Sequence, residues 1–185
     1  MTLSTGRLVD AARPLHDRVR RNVAVALRDR VAGKDNAEKA ALIWEKPGER
    51  WFTDADPIWQ VHSDASMFLA GIRALLLQSL HPLAMAGVAG HSGYKGDPWG
   101  RLQRTSTFLA TTTFGTIEDA ESLIAKVRGI HEGVRGKAPD GRRYAATDPH
   151  LLKWVHIAEA DSFLQAYQRY AVTPLTPAEA DSYVT

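Results

Sequence analysis

Apolar residues in this chain recur at three- and four-residue intervals, and nowhere do they alternate with polar ones for long enough to build a central strand. The pattern predicts an all-α fold. It runs through Leu8, Ala12, Leu15, Val19, Val23 and Leu27, then through Phe68, Leu69, Ile72, Leu75, Leu76 and Leu80. It returns in Ile117, Ala120, Ile124, Val127, His131 and Val134. A length of 185 residues with a 44% apolar share suffices for one domain with a core, so residues 1–185 are read as a single helical domain.

Start and stop signals divide that domain. Between Gly33 and Ala55 the chain is largely polar, with Ala37 to Trp44 expected as a short helix. Asp64 is the expected N-cap of a long helix reaching Leu80, and Pro82 should break it near His81 before a short continuation ending at Gly90. His91 to Gly100, rich in Gly and Pro, reads as a loop. Arg101 to Phe114 is the next helix, closed by Gly115 as a C-terminal cap. Thr116 and Asp119 resemble a capping box and open a helix that should end near Gly136. The PDGRR stretch is a turn signature for a small hairpin within Lys137 to Ala146. Asp148 and Pro149 open a helix over Asp148 to Ala171, and Thr176, Pro177 and Glu179 repeat that grammar just before the sequence stops. A well-capped helix cut after about two turns is the ending expected of a fragment, truncated at its C-terminal side.

Charge and composition exclude several classes. A net charge of +2 gives no ground for nucleic-acid binding. The first 34 residues are nevertheless basic, with eight Lys or Arg against Asp10, Asp17 and Asp29. Residues 8–31 are therefore expected as a basic amphipathic helix, solvated on its charged face and suited to peripheral contact with an anionic membrane. The absence of Cys rules out disulfides, thiolate metal sites, a Cys nucleophile and covalent c-type haem attachment. It fits a reducing compartment, so the expected location is cytoplasmic, with membrane association through the basic helix. Ala65 to Gly90 is the most apolar stretch, but Arg73, Gln78, His81 and Pro82 interrupt it, and it reads as a buried core helix rather than a span.

Three groups of residues carry candidate chemistry. His131 lies on the apolar stripe of its helix, where it is either a core histidine with one hydrogen bond or an axial ligand to a haem iron. His156 competes for the same role, because Leu152, His156, Ala160, Phe163 and Tyr167 also form a stripe, and spacing does not choose between the two. Arg101 and Thr105, one turn apart and followed by Phe108 and Thr112, suit a carboxylate or propionate beside an apolar pocket. The plain alternative is a solvated helix start whose Thr hydroxyls bond back to the backbone. Arg104 completes this group. Other signatures fail: Tyr94 stands where a nucleophile elbow needs Gly, His131 lacks the second His of a zinc-protease helix, and no glycine-rich phosphate loop follows a strand.

Four segments taken together carry a resemblance: GIRALLLQSLHPLAMAGVAGHS from Gly71, PWGRLQRTSTFLATTTFG from Pro98, AKVRGIHEGVRG from Ala125 and YAATDPHLLKWVHIAEADSFLQAY from Tyr144. Over about residues 56 to 172 they resemble the oxygenase family of the latex-clearing protein, a rubber oxygenase, and the MpaB-type oxygenases. The resemblance implies an all-helical fold, a haem b cofactor with its iron, and cleavage of carbon–carbon double bonds in isoprenoid chains by dioxygen. It implies that His131 ligates the iron and that Arg101 and Thr105 lie by the haem. Arg104 departs from the pattern: the latex-clearing protein has a Lys there that reaches the distal iron position, whereas an arginine stays protonated and cannot ligate. The catalytic glutamate proposed in that protein has no counterpart between Asp64 and Gly90, which contain no Glu. The expected function is a haem b-dependent oxygenase acting on an apolar, isoprenoid or lipid-like substrate near the helix around Leu75, Leu80 and Leu83. The alternatives are a non-catalytic haem- or lipid-binding protein and a membrane-surface module.

Overall fold

A computed structural model describes residues 36–93 and 95–185, together with residues 22, 26, 31 and 33. Apart from three positions, the expected basic helix over 8–31 lies outside the described residues. Among the described residues from 36 onward, eight helices and one small hairpin follow in order: α1 (Asn36–Trp44), α2 (Pro57–Ser63), α3 (Met67–Ser79), α4 (Pro82–His91), α5 (Pro98–Phe114), α6 (Ile117–Gly133), β1 (Arg135–Lys137), β2 (Arg143–Ala145), α7 (Pro149–Tyr170) and α8 (Pro177–Val184). The fold is all-α, as the periodicity predicts. The strands pair antiparallel, Arg135 opposite Ala145 and Lys137 opposite Arg143. Gly141, at φ +85°, makes the turn that the PDG sequence announces.

Helix boundaries follow local chemistry. Asp97 accepts from the Gly100 amide, Thr116 from Asp119, Asp148 from His150, and Thr176 forms a complete capping box with Glu179. The Asp97 cap starts α5 at Pro98, three residues before the expected Arg101. Asp64 caps differently from expectation: it ends α2, and its carboxylate accepts from the Ser66 amide just before α3 begins. The Asp56–Pro57 start of α2 is an element that the sequence reading did not resolve. Gly115 is the C-cap of α5, as expected, and it ends the helix in extended backbone (φ −77°, ψ 176°). Glycine is required by crowding, since a Cβ there would lie 2.6 Å from the Thr111 carbonyl oxygen.

Pro82 breaks the apolar run as expected, and α3 and α4 meet at 107°. Among the described residues no single helix is long and apolar enough to cross a membrane. The run is not the buried core helix expected of it, however. Only Ala70 and Ala74 of α3 are buried, while Ile72, Leu76 and Leu80 are 58%, 64% and 69% exposed. The buried alanines pack against α7, in one cluster with its Phe163, Ala166 and Tyr167. Arg73 crosses this seam, donating to the Ser162 hydroxyl (2.9 Å) and pairing with Asp161 (2.6 Å). Val61, Phe163, Tyr167 and Leu175 complete the core between α2, α3, α7 and the start of α8.

A second cluster fixes the far end of α5. Phe114 is stacked by Trp44 at 4.9 Å and met edge-on by Trp59 at 4.8 Å. Beside it, the Arg50 guanidinium donates to the Phe114 carbonyl and to those of Ile43, Trp44 and Lys46. One cation thus satisfies orphan carbonyls at the C-terminal ends of α1 and α5. Phe114→Ala is expected to cost ~3–5 kcal/mol of unfolding free energy, the range for emptying a packed aromatic site, measurable by urea denaturation. A loss under about 1 kcal/mol would show that the cluster is peripheral.

Candidate functional site

Three helices leave a cavity of about 210 Å³ between them. From α3 come Gly71, Ala74, Leu75 and Gln78; from α5, Arg101, Leu102, Thr105, Ser106 and Leu109; from α7, Val155, Glu159 and Phe163. Each set repeats at three- and four-residue spacing, so one stripe of each helix faces the space. The lining is mainly apolar, with one long polar side chain per helix: Gln78, Arg101 and Glu159.

The structure brings Arg101 and Thr105 together, as their spacing predicts. The Arg101 guanidinium donates to Gln78 Oε1 at 3.0 Å, an anchor between α5 and α3. Thr105 sits at the exposed rim and donates to the Arg101 carbonyl at 3.1 Å, the back-bonding that the plain reading anticipates. Arg104 turns outward, 3.6 Å from Asp97, with both side chains largely exposed. Leu75 is in the expected pocket, but Leu80 is exposed and Leu83 lies outside the cavity lining.

His131 is half-buried near the C-terminal end of α6 and does not line this cavity. Its ring makes no hydrogen bond among the described residues. Burial on α5 and α6 is concentrated at their shared turn, in Thr111, Thr113, Phe114 and Ala120, and falls away toward Trp99 on one helix and Ile130 on the other. Val134, just past α6, reaches Gly87 of α4, so the His131 end of the stripe stands near α4. His156 is exposed, as is Leu152. Of the stripe expected on α7, Phe163 and Tyr167 are buried, whereas toward the N-terminal half burial passes to Leu151 and Ala158 in place of Leu152 and His156, with Ser162 and Ala166 completing the buried face.

Glu159 is the functional candidate that sequence reasoning missed. Val155, Glu159 and Phe163 follow at intervals of four, so a carboxyl embedded in an apolar row was the available signal. Burial pushes its pKa up to about 7, partly opposed by the positive charge of Arg101. It makes no hydrogen bond or ion pair among the described residues. Deeper in, His62 Nδ1 is 2.8 Å from Thr113 Oγ1 and its Nε2 3.2 Å from the Tyr183 hydroxyl, with the ring edge-on to Phe163. Burial lowers the His62 pKa to about 4 and raises that of the Tyr183 phenol, reinforced by the nearby Glu159 charge.

Comparison with known proteins adds one match. The family model described as ER-bound oxygenase mpaB/B'/Rubber oxygenase, catalytic domain, matches residues 59–185, a span that takes in all three cavity walls and His131. No curated protein and no solved structure matches the chain.

Two groups give opposite pH dependences of stability. His62, with its pKa lowered to about 4 in the fold, gains a proton on unfolding between about pH 6.5 and 4, so its contribution is lost as pH falls. Glu159, raised to about 7, loses a proton on unfolding between about pH 4.5 and 7, so its contribution is lost as pH rises. Glu159→Gln removes the second slope. The stability of this variant relative to the parent should therefore increase from pH 4.5 to 7, by at most about 1.4 kcal/mol per pH unit. A difference that stays constant across that range, followed by thermal or urea unfolding, would overturn the assignment.

Proposed function

The chain belongs to the family of the mpaB and rubber oxygenase catalytic domain, an oxygenase family, and from that premise we propose that it is a haem b-dependent oxygenase acting with dioxygen on an apolar, isoprenoid or lipid-like substrate. The observation that carries this reading is the wall of α5: Arg101 and Thr105, one turn apart, border an apolar cavity. A guanidinium there can grip a propionate in two places, while the leucines and Phe163 accept hydrocarbon.

The residues present suit iron held in a porphyrin better than a bare ion. Among the described residues no three His, Asp or Glu side chains come together, whereas a haem iron needs as little as one proximal imidazole from the protein. His131 offers that imidazole, with its ring uncommitted on a half-covered apolar stripe. His156, exposed on α7, offers no comparable setting. When bound, haem would supply an iron able to bind and activate dioxygen. The chain's own residues hold its edge, exclude water and orient the substrate. At about 210 Å³ the cavity is smaller than the roughly 300–1,000 Å³ of a typical pocket for a whole ligand or cofactor. It is therefore assigned to part of a ligand, a propionate or a segment of substrate, and the half-covered stripe of α6 to the porphyrin ring. Arg104, turned toward Asp97 and unable to shed its proton, takes no place on the iron.

Protein expressed with haem supply should show a Soret band, which His131→Ala abolishes and which His156→Ala and Arg104→Ala leave in place. The reduced protein should bind carbon monoxide. No Soret band in the parent, or a band lost in His156→Ala but kept in His131→Ala, would sink the ligand assignment. A haem protein that refuses carbon monoxide would instead be the non-catalytic binder.

A further inference from the structure

Glu159 and Gln78 have no role in the proposed reaction so far, yet both line the cavity beside Arg101. An apolar chamber in which each wall contributes one long polar side chain is organised around a polar end. Gln78 uses its carbonyl oxygen on Arg101, and its amide nitrogen remains a donor. Arg101 supplies a cationic fork held in place by that bond. Glu159 is the outlier, since an ionised carboxylate beside an incoming anion would repel it, whereas a carboxylic acid would donate to it.

We propose that Gln78, Arg101 and Glu159, which line one cavity from three helices, form a carboxylate-binding site in which Glu159 donates a hydrogen bond to the bound anion. The proposal deepens the oxygenase reading, on which it rests for the identity of the occupant. The carboxylate is either one of the cofactor's propionates or the acid group of an apolar substrate. In both cases three donors from three helices converge on it, and the apolar lining receives the hydrocarbon beyond.

The surroundings of Glu159 agree. Arg101 faces it from α5 and Tyr183 from α8, with His62 of α2 behind that phenol, held neutral by burial. On α3, Arg73 is committed to Asp161 and Ser162. Arg101 is thus the positive charge that acts on Glu159. A ligand carboxylate drawing on that same charge would raise the proton affinity of Glu159 further, so binding should take up a proton whenever the free protein has released it.

The test uses the full chain without haem and decanoate as the probe. Calorimetric titration at pH 6 and pH 8, in two buffers of different ionisation enthalpy, reads affinity and protons together. Decanoate should bind, with close to one proton taken up at pH 8 and almost none at pH 6. Glu159→Gln should bind with no proton uptake at either pH, because the amide donates without titrating. Arg101→Met should weaken binding at least tenfold while keeping the folded circular dichroism spectrum. Decanol binding as tightly as decanoate, decylamine binding more tightly, or Glu159→Gln retaining the proton uptake would each overturn the proposal.

Haem and haem dimethyl ester then identify the occupant. If haem displaces decanoate and the ester does not, the site holds a propionate; if haem and decanoate bind together, it holds the substrate's acid. Decanoate binding with the expected proton signature in a chain that takes up no haem would leave this site standing and remove the haem reading. Haem binding that is indifferent to esterification, in a chain that ignores decanoate, would do the reverse.

Discussion

The contact of α3 on α7 is the constraint on which the rest of the structure depends. It is made by Ala70 and Ala74 against Phe163, Ala166 and Tyr167, the small side chains of α3 letting the larger ones of α7 come close, and beside it runs the polar bridge at Arg73. Burying a guanidinium stem between two helices costs desolvation, which the Ser162 hydroxyl and the Asp161 carboxylate offset while the head stays partly in water. The same closeness explains why the leucines of α3 do not enter this seam. A helix that turns its alanine stripe toward its partner must turn Ile72, Leu76 and Leu80 elsewhere, and only Leu75 lands in the cavity.

α5 completes the cavity without packing tightly along its length, because its position is set mainly at one end. Phe114 between two tryptophans, together with Arg50 on the adjacent carbonyls, holds the C-terminal end. At the other end a hydrogen bond from Arg101 to Gln78 ties the helix to α3. Between these anchors the inward stripe changes from Thr and Phe to Arg, Thr, Ser and Leu, and the space it faces stays open.

The parts of this architecture legible in the sequence are those decided locally. Asp148, Thr116 and Thr176 cap helices because a short acceptor followed by helix formers satisfies amides within three residues, and Pro82 bends the chain whatever surrounds it. The face that each helix buries is not a local property. On α7 two stripes of similar hydrophobicity run a fraction of a turn apart, one through Leu152 and His156 and the other through Val155 and Glu159, and the choice falls to the alanines of α3. Spacing therefore points His156 inward whereas the fold leaves it exposed, and it gives no sign of Glu159, because a carboxyl normally marks the solvent side. The leucine-rich run misled for a related reason: its apolar content described the helix but not which side meets protein. Arg101 and Thr105 were legible because their one-turn spacing lies within a single helix.

Where local pattern and final position disagree, function is the usual reason for the cost. Gln78, Arg101 and Glu159 each interrupt an apolar row on a different helix, and each interruption taken alone only weakens its helix's packing. Assembled, they line one chamber, a coincidence that hydrophobic collapse does not require. His131 breaks its own stripe in the same way on α6, the helix that follows α5 after a turn of two residues. α5 is the element common to both violations, lining the cavity with one stripe and leading directly into the helix that carries the imidazole. Under the function proposed above, α5 would keep the separation between the imidazole of the next helix and the cavity wall fixed. For that proposed reaction, which would present one bond of a long apolar chain to an iron, a fixed separation matters more than deep burial of either site.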